Sequence, residues 1–181
     1  MRRGFKAEAE RMSSSFRATL GVGDTSKLPL EQAVKTMGAE LRSAESLVSL
    51  ERLREIEQVQ PGAFSACTFD MSDHKVIVWN PLSKPARTTS DIAHELSHLL
   101  LKHEVKEVQK VGELAFFGCD PDEEQEANWL AGCLLLPRAL VLKELRAGHT
   151  AEQIADRYEV SSQMANFRIR ATGALRQVSS R

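Results

Sequence analysis

Residues 90–101 read SDIAHELSHLLL, a stretch that places two of the chain's five histidines four positions apart among mostly apolar neighbours. The apolar flank predicts an amphipathic helix. In a helix, four residues correspond to one turn and about 40° of rotation, so His94 and His98 leave the same face. The pair therefore either packs into the core or points at one metal ion.

The residue types in this motif match the chemistry of a zinc hydrolase. Two imidazole nitrogens can bind one tetrahedral zinc ion at about 2.0–2.1 Å. Glu95 lies about 100° further round the helix, where it can reach a water molecule in the open fourth position. Zinc lowers the pKa of such a water to about 7, and a carboxylate can take its proton. The H-E-x-x-H pattern thus indicates a metallopeptidase, and its ligands favour zinc over manganese.

A catalytic zinc ion needs a third protein ligand, and the metzincin arrangement does not supply it here. That arrangement requires glycine and histidine at positions 101 and 104, where this chain has Leu101 and Glu104. His103 would lie about 140° from the ligand face, so we assign it to the helix C-terminus, which the helix dipole favours. A thermolysin-like site takes a glutamate from a downstream helix, and residues 123–131, EEQEANWLA, offer acidic candidates.

Apolar spacing and helix-start signals predict a largely helical chain. Helices are expected over residues 4–20, 30–37, 121–136, 138–146, 151–158 and 162–172, and another from about Pro85 or Thr89 to Lys102. Residues 63–69 and 75–79 are rich in β-branched and aromatic residues around a polar turn, which predicts a β-hairpin. Residues 40–61 and 104–120 give no clear prediction. Helices on both sides of one hairpin indicate an α+β fold.

Length and composition are those of an ordinary globular protein. A chain of 181 residues indicates a single domain, 1–181, in which we expect 137–181 to form a helical extension packed on the rest. The net charge of −1 excludes general binding of the whole molecule to nucleic acid or membranes. Three cysteines do not form a disulfide framework, and no signal peptide or membrane span is apparent. These features predict a cytoplasmic protein. They do not indicate an oligomeric state.

Two paired motifs resemble the ImmA/IrrE family of metallopeptidases: HELSH at 94–98 and EQEANWLAGCLLLP at 124–137. The segments VIVWNP and LLLKH on either side of the first motif resemble the same family, and the resemblance extends over roughly residues 4–172. It implies a zincin-like, gluzincin-type site with one catalytic Zn²⁺, in which Glu126, directly before an alanine, is the third ligand. Glu124 would then be a nearby supporting or solvent-facing acid. Asn128 could orient a ligand histidine or face solvent.

The residue that steadies the oxyanion in thermolysin-type enzymes is not identified by the sequence. The only tyrosine, Tyr158, and the histidines His74, His103 and His149 are the available candidates, and none of them follows a recognisable spacing.

The family resemblance also implies a function. Its members are cytoplasmic bacterial or phage endopeptidases that cut a helix-turn-helix repressor of the XRE type, which releases genes in stress or on mobile elements. The expected partner is therefore a protein substrate, not a membrane. Residues 75–79 could present an edge strand on which an extended peptide pairs; alternatively, that edge is already covered by the protein.

The C-terminal helices leave a second hypothesis open. Residues 150–170 have the spacing of a helix-turn-helix, and Arg168 and Arg170 could face phosphates. The chain would then be a DNA-binding regulator with a structural or vestigial zinc site. Against this, Glu159 occupies the tight turn, and with Asp156 it is a poor partner for phosphate. Nucleic acid is therefore not the expected partner.

Overall fold

The computed structural model describes residues 1–62, 64–71, 73–103, 108–111, 114–117 and 120–178. Its helices are α1 (Phe5–Thr19), α2 (Leu30–Thr36), α3 (Leu50–Val59), α4 (Pro85–Leu101), α5 (Pro121–Leu135), α6 (Arg138–Arg146), α7 (Ala151–Tyr158), α8 (Ser162–Thr172) and α9 (Ala174–Val178). Its strands are β1 (Ala39–Ser43), β2 (Ala66–Asp70), β3 (Lys75–Trp79), β4 (Val108–Val111) and β5 (Leu114–Phe117). The α+β prediction is confirmed.

The predictions above also cover Ala63, Glu104 and residues 179–181, which lie outside the described residues. Within the described part of the chain, no helix combines the length and the apolar character needed to cross a membrane.

The predicted hairpin is confirmed, since β2 and β3 pair antiparallel, but it belongs to a three-stranded sheet of order β1-β3-β2. β1 pairs in parallel with β3 on its other side. The suggestion that residues 75–79 form an edge is therefore wrong, because β3 is the central strand. The charged sequence of β1, AELRS, carries little strand signal, and only the tertiary pairing reveals it. β2 is the edge strand on the hairpin side.

The sheet packs on the main core with one face and on a small cluster with the other, and the alternation of side chains along β3 assigns these faces. Ile77 belongs to the main core with Ile92 and Leu96 of α4. Val76 and Val78 point the other way and form a small cluster with residues that include Leu53 of α3. The helix with the histidine motif is thus anchored against the sheet through its apolar face. The face of α4 that carries the histidines contacts α5.

Helices α4 and α5 pack closely because their contact surfaces carry small residues. Ala93 of α4 and Ala131 of α5 are almost fully buried in one cluster, and Ala127 is fully buried as well. Pro85 occupies the first turn of α4, as predicted, and the helix ends where Lys102 adopts a left-handed conformation with φ of 57°. The motif histidines lie between these two helices, in contact with Glu124 of α5.

The three helices predicted over 138–146, 151–158 and 162–172 are present as α6, α7 and α8. They share a buried cluster with Ala93 of α4 and with the C-terminal end of α5. Helix α8 approaches α5 at Gly132, where an added Cβ would lie only 2.8 Å from Cδ of Arg168. Glycine is therefore required at this crossing.

Arg168 does not face phosphates, so that part of the DNA-binding hypothesis is wrong. Its side chain is fully buried. Its Nε donates a 2.9 Å hydrogen bond to the carbonyl of Leu136, and its guanidinium pairs with Glu10 of α1. An arginine in this position ties α8 to the C-terminal end of α5 and to α1. Arg170 on the same helix is exposed.

We expect Arg168→Met to lower the free energy of unfolding by about 1–3 kcal/mol, because it removes a partly buried ion pair and leaves the carbonyl of Leu136 without this donor. The matched change Arg170→Met should stay within about 0.5 kcal/mol of wild type. Urea unfolding of both variants measures the difference. Equal, small effects would show that Arg168 is not held in the interior.

Candidate metal centre

The site is built from two turns of α4 and the first turns of α5. Nε2 of His94 lies 3.0 Å from Nε2 of His98. The carboxylate of Glu124 faces both rings, with Oε2 3.2 Å from Nε2 of His94 and Oε1 3.3 Å from Nε2 of His98. Ligand atoms that surround a tetrahedral zinc ion at 2.0–2.1 Å lie about 3.3 Å from one another. The three side chains therefore fit a zinc ion.

The electrostatics of the cluster suit metal binding. Burial and the neighbouring charge of His94 lower the pKa of His98 to about 4, so its imidazole is neutral at physiological pH. The neutral ring is the form that binds a metal. Glu124 adds one negative charge, and two nitrogens with one carboxylate oxygen form a donor set typical of catalytic zinc.

The third member of the cluster is Glu124, and the structure does not bring Glu126 to the histidines. The two glutamates are two residues apart, which is about 200° of rotation on one helix, so only one of them can face α4. Glu126 instead accepts hydrogen bonds from the backbone N–H and from Nε of Arg2, at 2.8 and 3.0 Å. The family motif suggested Glu126 as the third ligand, but the structure places Glu124 beside the histidines, and Glu126 points to the other side of α5.

Glu126 fastens the N-terminal segment to α5. Its carboxylate is only 5% exposed. Burial raises the pKa of Glu126, but the hydrogen bonds and charge of Arg2 outweigh this effect and hold it below its usual range. A buried carboxylate with such a partner has a structural explanation that needs no metal.

Glu95 lies beside the cluster and is held by the edge strand. Its Oε2 accepts a 2.6 Å hydrogen bond from Oγ1 of Thr68 on β2. Burial raises the pKa of Glu95, while the hydrogen bond from Thr68 and the charge of His94 act in the opposite direction. A raised pKa makes the carboxylate a better proton acceptor near neutral pH. No sequence pattern pointed to Thr68, because only the folding of β2 against α4 brings it to Glu95.

His103 lies at the C-terminal end of α4, as predicted, but it also contacts the cluster, which the sequence analysis did not expect. Nδ1 of His103 lies 2.9 Å from Nδ1 of His98. The rotation of about 140° holds only for a continuing helix, and the left-handed turn at Lys102 folds the chain back. If Nε2 of His98 holds a metal, its proton would lie on Nδ1, and this N–H would donate to Nδ1 of His103.

We expect His103→Ala to weaken zinc binding by about 10- to 100-fold, because His98 loses the acceptor that fixes its ring and tautomer. His103→Gln, which retains an acceptor at similar reach, should recover part of the affinity. Competition with a chromogenic chelator measures both variants. Unchanged affinity in His103→Ala would contradict the orienting role.

The other residues considered at the site lie elsewhere. The amide nitrogen of Asn128 donates to the backbone carbonyl of Glu124 at 2.8 Å, one turn earlier on α5. Tyr158 donates to Glu144 within the C-terminal helices, and His149 lies near the same carboxylate. His74 pairs with Asp73 at the hairpin turn. Tyr158, His149 and His74 therefore make their contacts away from the cluster, and His103 is the oxyanion candidate that lies next to it.

Comparison with known protein families agrees with this geometry. The model of the IrrE N-terminal-like domain (Peptidase_M78) matches residues 53–170, which is 118 of the 181 residues. The matched segment begins in α3 and ends in α8, so it contains the edge strand and both helices of the cluster. No curated protein matches the chain. The chain therefore belongs to the M78 peptidase family with the IrrE N-terminal-like domain.

Proposed function

We propose that this protein is a zinc-dependent endopeptidase. The observation that carries the proposal is the convergence of His94, His98 and Glu124 at zinc-ligand spacing, with the carboxylate of Glu95 next to them. The three clustered side chains would hold the ion. A zinc ion in such a site supplies Lewis acidity, which activates water and polarises a carbonyl.

Glu95 would act as the general base. Its carboxylate takes a proton from the attacking water and passes it to the leaving amine as the peptide bond breaks. Thr68 holds one oxygen of this carboxylate at 2.6 Å, so the other oxygen remains available for the proton. Burial, which raises the pKa of Glu95, favours both transfers near neutral pH.

The substrate would bind as an added strand. β2 ends the strand order of the sheet, and it carries Thr68, the residue in contact with Glu95. An extended peptide that pairs with the outer side of β2 would pass the base and the metal ligands. Such a binding mode requires an unfolded or loop segment of the substrate, since a folded helix offers no free backbone groups.

For the substrate itself, the resemblance to the ImmA/IrrE peptidases supports a helix-turn-helix repressor of the XRE type. Cleavage in the cytoplasm would then release the repressed genes during stress or on a mobile element. The resemblance supports this setting, and the site chemistry is compatible with any exposed peptide segment.

The experiment is to incubate the zinc-loaded protein with XRE-type repressors encoded beside its gene and to follow cleavage by mass spectrometry. We expect one repressor to be cut at a defined peptide bond, with cleavage stopped by a chelator and restored by zinc. An unrelated helical protein serves as the control substrate. Repressors that stay intact, while other peptides are cut, would contradict the substrate but not the peptidase activity.

A further inference from the structure

A cavity lies between α4 and α5, and helix α8 forms its third wall. Its volume is about 300 Å³, and it is lined by Ser90, Asn128, Ser161, Gln163, Met164 and Phe167. The C-terminal helices thus contribute side chains to a cavity beside the metal centre, in addition to packing against the rest of the chain.

The cavity lies one helix turn from the metal cluster. Ser90 precedes His94 by four residues, and Asn128 follows Glu124 by four, so each shares a helix face with a cluster residue. Four residues of helix rise about 6 Å. An extended peptide advances about 3.3–3.6 Å per residue, so a side chain one or two residues from the bond at the cluster reaches the cavity.

The walls of the cavity select for an uncharged side chain. None of the six lining residues is ionisable, so a charged side chain would find no oppositely charged partner among them. Met164 and Phe167 provide apolar contact, and a thioether adapts to different shapes. Phe167 packs edge-to-face on Trp129, with ring centroids 5.2 Å apart, which fixes this wall against α5.

We propose that this cavity is a specificity pocket that binds a large uncharged side chain of the substrate adjacent to the scissile bond. The proposal rests on the peptidase function proposed above and assigns the helix-turn-helix-like segment a role in substrate selection. Gln163, on the first turn of α8 and away from the metal ligands, is the residue through which the selection can be changed.

The test is Gln163→Glu in the zinc-loaded Glu95→Gln protein, which is expected to bind peptides without cutting them. The substitution keeps the side-chain size, and a carboxylate is favourable in the first turn of a helix. The control is Gln177→Glu on α9, which makes the same charge change at an exposed position outside the cavity. Peptides captured from a randomised library are identified by mass spectrometry.

We expect the parent protein to enrich Leu, Met or Phe at one peptide position. Gln163→Glu should raise Lys and Arg relative to these residues there by about five- to tenfold, through a charge-assisted contact, and Gln177→Glu should not. The same enrichment in all three proteins, or no enrichment at all, would overturn the pocket. A shift in binding without cleavage by the Glu95-containing enzyme would support the pocket and refute the peptidase function.

Discussion

Glu95→Gln should lower the rate of peptide cleavage by about 10²- to 10⁴-fold, which is the range that a positioned general base contributes. Glutamine keeps the size of the side chain and can still accept the hydrogen bond from Thr68, but it cannot take a proton. Zinc content should stay near that of wild type, because Glu95 is not part of the three-residue cluster. Cleavage kinetics and elemental analysis on the same preparation measure both quantities.

The control for this prediction is Glu152→Gln, the same change on the exposed surface of α7, which should cut at the wild-type rate. Thr68→Val tests the contact that holds the base, and we expect a smaller loss of rate than for Glu95→Gln. If Glu95→Gln cleaves as fast as wild type, another group removes the proton and the assignment of the base is wrong.

Glu124→Ala should lose zinc affinity, whereas Glu126→Ala should lose stability and keep zinc. Without Glu124 the cluster keeps only two imidazoles, and we expect zinc affinity to fall by more than about 100-fold, beyond the effect of losing a supporting residue. Glu126→Ala should retain zinc but lower the free energy of unfolding, because it removes the carboxylate that accepts hydrogen bonds from Arg2. Elemental analysis and urea unfolding distinguish the two variants.

Arg2→Gln is the matched control for the second variant, since it removes the same contact from the other side and leaves α5 unchanged. It should lower stability less than Glu126→Ala and should leave zinc content unaffected. Near-stoichiometric zinc in Glu124→Ala, together with its loss in Glu126→Ala, would return the ligand role to Glu126 and refute the geometry described above.

What the sequence determined by itself is local. The spacing of His94 and His98 defines a helix face, and Pro85 and the apolar flank define where that helix begins and which side is buried. β-branched residues around a polar turn predicted the hairpin. Each of these features depends on residues within one or two turns or strands of each other, so periodicity and propensity are sufficient to predict them.

The tertiary structure decided the contacts between distant segments. Rotation of α5 against α4 selects Glu124 over Glu126, although both fit an acidic motif two residues apart. A left-handed turn returns His103 to His98, where a helical projection placed it on the opposite side. Thr68 and Arg168 acquire their partners only when strands and helices far apart in the chain pack together. Helix rotation, chain reversal and strand pairing are set by the packing of the whole core, which no local pattern encodes.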